Sequence, residues 1–327
     1  MKKANDGISE SDIEIRPHHL LSTVCALGGV RCPLVDQNRI DYILNLVKND
    51  ATLRIRLVSD ADEIRYFRDL GSAYYNQMNE QDVFNRKRDL DVLQKLGLVP
   101  GDTRRARYLY TLLFERIKTL QDICAYDTQG WEGCPNARSG AYEGIQAKSF
   151  AEIVKMRSDE EMNSCKDRTA KETYESERLY IRPHHLMCMA CYYSGGDGNV
   201  PRQADNLYEA IHRIQDNPDI DVVLVEGCCM LCEPCDGYDP VTHRCVHDGG
   251  LIRDYKKDLD VLQKLGLMPG TVIKARDVYK MLFEGIPSTK DVCGYGDGIE
   301  TSREWRICGS KEGNEGYRKT VEKGIIP

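Results

Sequence analysis

Four cysteines within eight positions, Cys228, Cys229, Cys232 and Cys235 in EGCCMLCEPCDGY, are the residues of this chain best equipped for chemistry. The last three form C-x2-C-x2-C, a spacing that lets one tight loop aim successive thiolates at one centre, as where a loop gives three ligands to an iron-sulfur cluster. Cys245 follows and can close the set, so the expected metal site is Cys229, Cys232, Cys235 and Cys245, holding an iron-sulfur cluster of the 4Fe-4S kind. Zinc is the alternative cofactor. It uses C-x2-C pairs in a tetrahedron, and Cys232 with Cys235, or Cys229 with Cys232, could be joined by Cys245 and by His243 or His247. Side chains of adjacent residues diverge, so Cys228 is a spare or serves another site.

A second constellation is carried by a helix. His184, Cys188 and Cys191 are spaced by four and then three, so they fall on one helical face. With Cys293 and Cys308 near the end they give a second set of thiol ligands: Cys188, Cys191, Cys293 and Cys308. His18, Ser22 and Cys25 make the corresponding face in the first half of the chain. His18, His19, His184 and His185 are candidate proton donors, since imidazole titrates near neutrality. Arg16 and Arg182 precede a helix start, where free N–H groups favour a phosphate or carboxylate; the competing reading pairs each with an acidic residue across its domain. Asp89 with Asp91 and Asp258 with Asp260 are placed at a helix start and given no catalytic role.

The elements that must position these residues are written twice. IRPHHL occurs at 15–20 and at 181–186, and DLDVLQKLGL at 89–98 and 258–267, identical at every position. LLFE and MLFE, then DIC and DVC, follow in the same order, which is the pattern of a tandem duplication rather than of a solenoid. The expected domains are 13–147, with the central cysteines lost, and 179–327, cysteine-rich; the charged stretch 148–178 is a helical or extended connector. Each copy reads as α+β and mostly helical: a strand (IEIR; LYIR), a proline-started helix, a second helix, a second strand (LRIRLVS; IDVVLVEG), and then the DLDVLQKLGL helix with its capping glycine. Two short strands per copy suggest a small sheet, shared or separate. The basic run FNRKRD at 84–89 reads as a solvated helix start, and SGGDGNV at 194–200 as a flexible turn without the lysine of a phosphate loop.

Composition bounds the partners. A net charge of −7 argues against a general nucleic-acid surface, and no apolar window is long enough for a membrane span. The start MKKANDGISESD lacks an apolar core, so a cytoplasmic location is expected. There 14 cysteines are kept reduced and point to metal or redox chemistry rather than disulfides, although Cys165, alone in a charged stretch, reads as a small buried hydrophobe.

With IRPHHLMC, the C-x2-C after a strand, DLDVLQKLGL and the late VCGYG and EWRIC, the second copy resembles a family of small bacterial and archaeal proteins catalogued as domain of unknown function 1284. The resemblance covers nearly all of 179–310 and, in altered form, 13–145. It implies a cysteine-rich, metal-binding protein without implying a reaction. Its pattern falls on His184, His185, Cys188, Cys229, Cys232, Cys245, Cys293 and Cys308, with proline in place of the glycine before the histidines and Gly296 where a further cysteine is expected.

The expectation is therefore a cytoplasmic iron-sulfur protein engaged in electron transfer or redox chemistry with a redox partner or small molecule, an oxidoreductase if it is an enzyme, working at a cleft between the copies lined by the four histidines. The rivals are a structural zinc module for partner or ligand binding, and a metal-free thiol enzyme using Cys188 or Cys191. The first copy is expected to supply shape or a pocket wall. A smaller site there would use Cys25, Cys124 and Cys134 with His18 or Cys32.

Overall fold

A proline that ends a strand and opens a helix sets the start of each half of the molecule. The computed structural model describes residues 12–63, 79–127, 133–148, 150–195, 200–294 and 302–326; the N-terminal start, most of SGGDGNV and Gly296 lie outside them. The chain divides into two compact units, Met1–Met156 and Arg157–Pro327.

In the first unit β1 (Asp12–Ile15) leads through Pro17 into α1 (His18–Leu27) and α2 (Gln37–Asn49), and the chain returns as β2 (Arg54–Leu57). β1 and β2 pair in parallel, which requires such a helical crossover. β3 (Thr103–Arg105) adds antiparallel to β2, giving the order β1-β2-β3. Between them runs α3 (Glu80–Leu96), capped by the Asn79 side chain and ended by Gly97 at φ 65°, a left-handed conformation that glycine adopts without strain. α4 (Ala106–Arg116) and α5 (Ala141–Gln146) complete the unit, α5 lying on α1.

The second unit adds α6 (Asp159–Glu175) and then repeats the plan: β4 (Arg178–Ile181), α7 (Pro183–Tyr193), α8 (Leu207–Asp216), β5 (Asp221–Leu224), α9 (Ile252–Leu265), β8 (Val272–Lys274) and α10 (Ala275–Gly285). A hairpin of β6 (Tyr238–Asp239) and β7 (Arg244–Cys245) lies between β5 and α9, and α11 (Lys290–Cys293) and α12 (Glu315–Lys323) close the unit. The order β4-β5-β8 again has a parallel and then an antiparallel pair. α12 packs on α7 as α5 does on α1. Even single bonds recur: the Tyr142 hydroxyl donates to the Ile117 carbonyl at 2.9 Å, and Tyr317 to Ile286 at 2.7 Å.

The α+β class is as expected, with a three-stranded sheet in each unit and not two strands. The third strand is short, and its residues are half-buried or exposed, so it shows no apolar alternation to read. Three other expectations change. FNRKRD lies inside α3, and Phe84, Asn85, Arg88 and Asp89 in it are buried rather than solvated. Asp89 and Asp258 sit within helices, not at their starts. The charged connector becomes α6, which packs on α8 and buries Cys165, Lys166, Thr169 and Thr173. Lys166 survives burial because Glu209 (2.8 Å) and the Asn206 side chain (3.0 Å) hold its ammonium.

Candidate metal centre

The Arg-Pro-His-His segment is fastened from the neighbouring helix. Asp258 on α9 accepts from the His184 backbone N–H at 3.1 Å and from its Nδ1 at 2.7 Å through one oxygen, and from Arg182 at 2.7 and 2.9 Å through the other. Asp89 repeats the arrangement with His18 (3.0 and 2.6 Å) and Arg16 (2.7 Å). One carboxylate thus satisfies an orphan helix-start amide and orients a ring. Burial alone would raise both carboxyl groups; the histidine bond and the arginine charge outweigh it and hold them below the ordinary range. Arg16 and Arg182 are therefore occupied by a built-in carboxylate and are not free anion sites. His18 and His184 are likewise taken up in the clamp.

With His184 fixed, the next residue turns to the cysteine loop. His185 Nδ1 lies 3.1 Å from Cys229 Sγ, and Cys229 Sγ lies 3.8 Å from Cys232 Sγ. The ligand atoms of His185, Cys229 and Cys232 all fall within 4.8 Å of one another. Burial holds the imidazole neutral, with its pKa lowered to about 4, and neutral imidazole is the form that binds metals. Hydrogen bonds from the Cys228 and Cys229 thiols push the Cys232 thiol well below its ordinary value. Cys228 therefore belongs to this group after all. Cys245, buried on β7, lies in the same neighbourhood, where burial raises its thiol above the ordinary value.

The three cysteines of the C-x2-C-x2-C run do not form one close-set single-ion group. Each step closes a turn, with the Cys232 N–H donating to the Cys229 carbonyl at 2.8 Å and the Cys235 N–H to the Cys232 carbonyl at 3.0 Å. Cys235 nevertheless faces away, its Sγ 3.2 Å from His247 Nε2, in a group of three with Asp236. Gly237 makes that approach possible: a Cβ there would lie 2.2 Å from His247 Nε2. His243 is engaged elsewhere, its Nδ1 2.5 Å from the Tyr238 hydroxyl. α6 splints the loop from behind. Arg157 donates to the Glu233 and Cys235 carbonyls at 2.6 Å each, and the Cys165 thiol donates to Glu233 at 3.4 Å.

The remaining second-unit thiols do come together. Cys188 and Cys191 from α7, Cys293 at the end of α11 and Cys308 line one cavity of about 510 Å³, which also has Met187, Leu207 and Gly316 in its wall. Gly316 is required by the close approach of α12, since a Cβ there would meet the Cys191 carbonyl oxygen at 2.3 Å. Among the described residues the groups of three whose ligand atoms lie within 4.8 Å are the two already named, so these four thiols are set farther apart. Burial raises the Cys188 thiol well above its ordinary value, Cys191 to about 12 and Cys293 to about 11. The charge of Lys257, 2% exposed on α9, opposes that rise at all three.

Lys257 and its counterpart Arg88 were missed in the sequence. Both stand one residue before the clamp aspartate, and a basic residue on a charged helix carries no sign that it faces inward. In the first unit Cys25, Cys32, Cys124 and Cys134 also lie as neighbours, with Cys134 Sγ 3.2 Å from Cys32 Sγ. No family model, curated protein or solved structure matches this chain. The molecule is a cysteine-rich α+β protein with thiol and imidazole groups able to hold a metal, and no described helix is long and apolar enough to cross a membrane.

Proposed function

We propose that the second unit carries an iron-sulfur cluster held by Cys188, Cys191, Cys293 and Cys308, and that the protein is a cytoplasmic electron-transfer or redox protein. The carrying observation is the convergence of four thiols, more widely spaced than a single-ion group, on one cavity. The donor set fits. It is all sulfur, and four thiolates around a dipositive cluster leave net negative charge for Lys257 to offset. When bound, such a cluster supplies one-electron transfer. Cys308 is exposed, which would bring the cluster edge within reach of a redox partner.

A single zinc ion is supported at a different place, the close-set His185, Cys229 and Cys232 with Cys228 or Cys245 as fourth ligand. The thiol-enzyme reading has less behind it: a nucleophile must be a thiolate, and burial raises both Cys188 and Cys191. We also propose descent from a duplicated ancestor of the family catalogued as domain of unknown function 1284, supported by the repeated sequence blocks and sheet order.

The test is oxygen-free purification of the full chain followed by a visible spectrum and iron, sulfide and zinc analysis. We expect a broad brown absorption with iron and acid-labile sulfide that falls in Cys293→Ser, while Cys232→Ser loses zinc. A colourless protein holding zinc alone would sink the electron-transfer reading.

A further inference from the structure

The first unit is the half whose central cysteines are gone, and Ser22 stands where the second unit has Cys188. Its remaining thiols nevertheless come from corresponding places. Cys25 occupies the position of Cys191 on the first helix, Cys124 follows α4 as Cys293 follows α10, and Cys134 ends WEGC as Cys308 ends WRIC. The fourth thiol arrives by another route. Cys32, in the segment after α1, is buried with its Sγ 3.2 Å from that of Cys134. Cys25 lies within the influence of both Cys124 and Cys32. A backbone bond from the Cys134 N–H to the Cys124 carbonyl at 2.8 Å ties the last two together.

A second observation, independent of the thiols, points to what they hold. Arg88 on α3 is 1% exposed, and its Nε and Nη2 have no hydrogen-bond partner among the described residues. Its Nη1 lies 3.8 Å from Cys32 Sγ, and its guanidinium lies over the Phe84 ring. A guanidinium cannot shed its proton to escape burial, so its retention here calls for a buried negative charge. It sits at the sequence place of Lys257, the buried cation whose charge acts on Cys188, Cys191 and Cys293 in the second unit.

We propose that the first unit holds its own four-thiolate metal centre on Cys25, Cys32, Cys124 and Cys134, with Arg88 as its counter-cation and Cys32 replacing the ligand lost at Ser22. The occupant is an iron-sulfur cluster: these four thiols, like those of the second unit, are not among the close-set groups of three found in the described residues, and four thiolates around a cluster leave net negative charge on the site. The first unit is then a second working centre rather than a shape-giving remnant. This extends the metal reading of the second unit but does not depend on the same residues.

The experiment compares metal and sulfide content of the full chain, purified without oxygen and reconstituted with ferrous iron and sulfide or with zinc, in wild type, Cys32→Ser, Cys134→Ser, Cys293→Ser and Cys32→Ser/Cys293→Ser. Circular dichroism checks folding, and the two first-unit variants guard against misfolding of one. The expected result is loss of one centre's metal in Cys32→Ser and in Cys134→Ser, and a further loss in the double variant. Iron with sulfide lost from the first-unit variants identifies the cluster, and zinc lost there without iron or sulfide overturns it. Unchanged metal in both first-unit variants, with loss in Cys293→Ser, overturns this centre and spares the second unit's; loss in the first-unit variants with Cys293→Ser unchanged does the reverse. A Cys32–Cys134 disulfide peptide recovered from the anaerobic protein would also overturn it.

Discussion

Asp258 holds His184 twice, through the backbone N–H and through Nδ1, with a single carboxylate oxygen. That leaves the other oxygen for Arg182, so four N–H groups of two residues two positions apart depend on one buried acid. Asp258→Asn removes the charge and leaves Arg182 buried without its counter-ion. We expect a loss of about 3 kcal/mol, the usual cost of breaking a buried pair from one side, read by urea unfolding. An unchanged midpoint would mean that the clamp contributes nothing to stability.

Burial of the two neighbouring histidines of the first unit makes stability depend on pH. Burial lowers the His18 pKa from 6.5 to about 4 and that of His19 from 6.5 to about 3. Above pH 6.5 both rings are neutral whether the chain is folded or not, and neither contributes. Below it the unfolded chain takes up protons that the folded one refuses, so stability falls steadily toward about pH 4. The depressed Asp89 carboxyl adds stability that is present above its ordinary value of 3.8 and is lost as pH falls further. Urea midpoints measured from pH 8 to pH 4.5 should be flat and then decline, and His19→Leu should decline less. A wild-type profile flat throughout would refute this account.

The splitting of the C-x2-C-x2-C run predicts unequal cysteines. Cys232→Ser should abolish the metal held with His185, whereas Cys235→Ser should keep it, because Cys235 is turned to His247. Equal losses in the two variants would restore the single site expected from spacing.

Arg157 fixes the loop carbonyls of Glu233 and Cys235, and so would act at one remove from a metal on the proposed His185 site. Arg157→Ala should weaken metal retention at the His185 group by about 10-fold, the lower end for groups that orient ligands, measured by competition with a chelator. Iron in the Cys188 cavity should be untouched. If both pools weaken together, the effect is general unfolding.

Lys257, 2% exposed and 3.4 Å from Asp254, places its charge near enough to Cys188, Cys191 and Cys293 to act on all three. A cluster becomes more negative on reduction, so a buried cation favours the reduced state. Lys257→Met should therefore lower the reduction potential in a potentiometric titration, and an unchanged or raised potential would remove the lysine from this role.

Much of this was open to reading from the chain itself. The repeated blocks, the α+β class and the proline-led helices follow from local pattern, because helix periodicity and caps are properties of neighbouring residues. What local pattern cannot contain is which distant residues meet. His185 reaches Cys229 across 44 positions, and Cys32 reaches Cys134 across 102. The turn at 232–235 sends one cysteine of a regular run to a different histidine, the connector closes around Lys166 to become a splint, and Arg88, which reads as one more surface charge, is carried inward with its helix. Each of these outcomes was decided by packing of whole elements, which buries a side chain according to the face it occupies and leaves its charge to be met by whatever lies opposite.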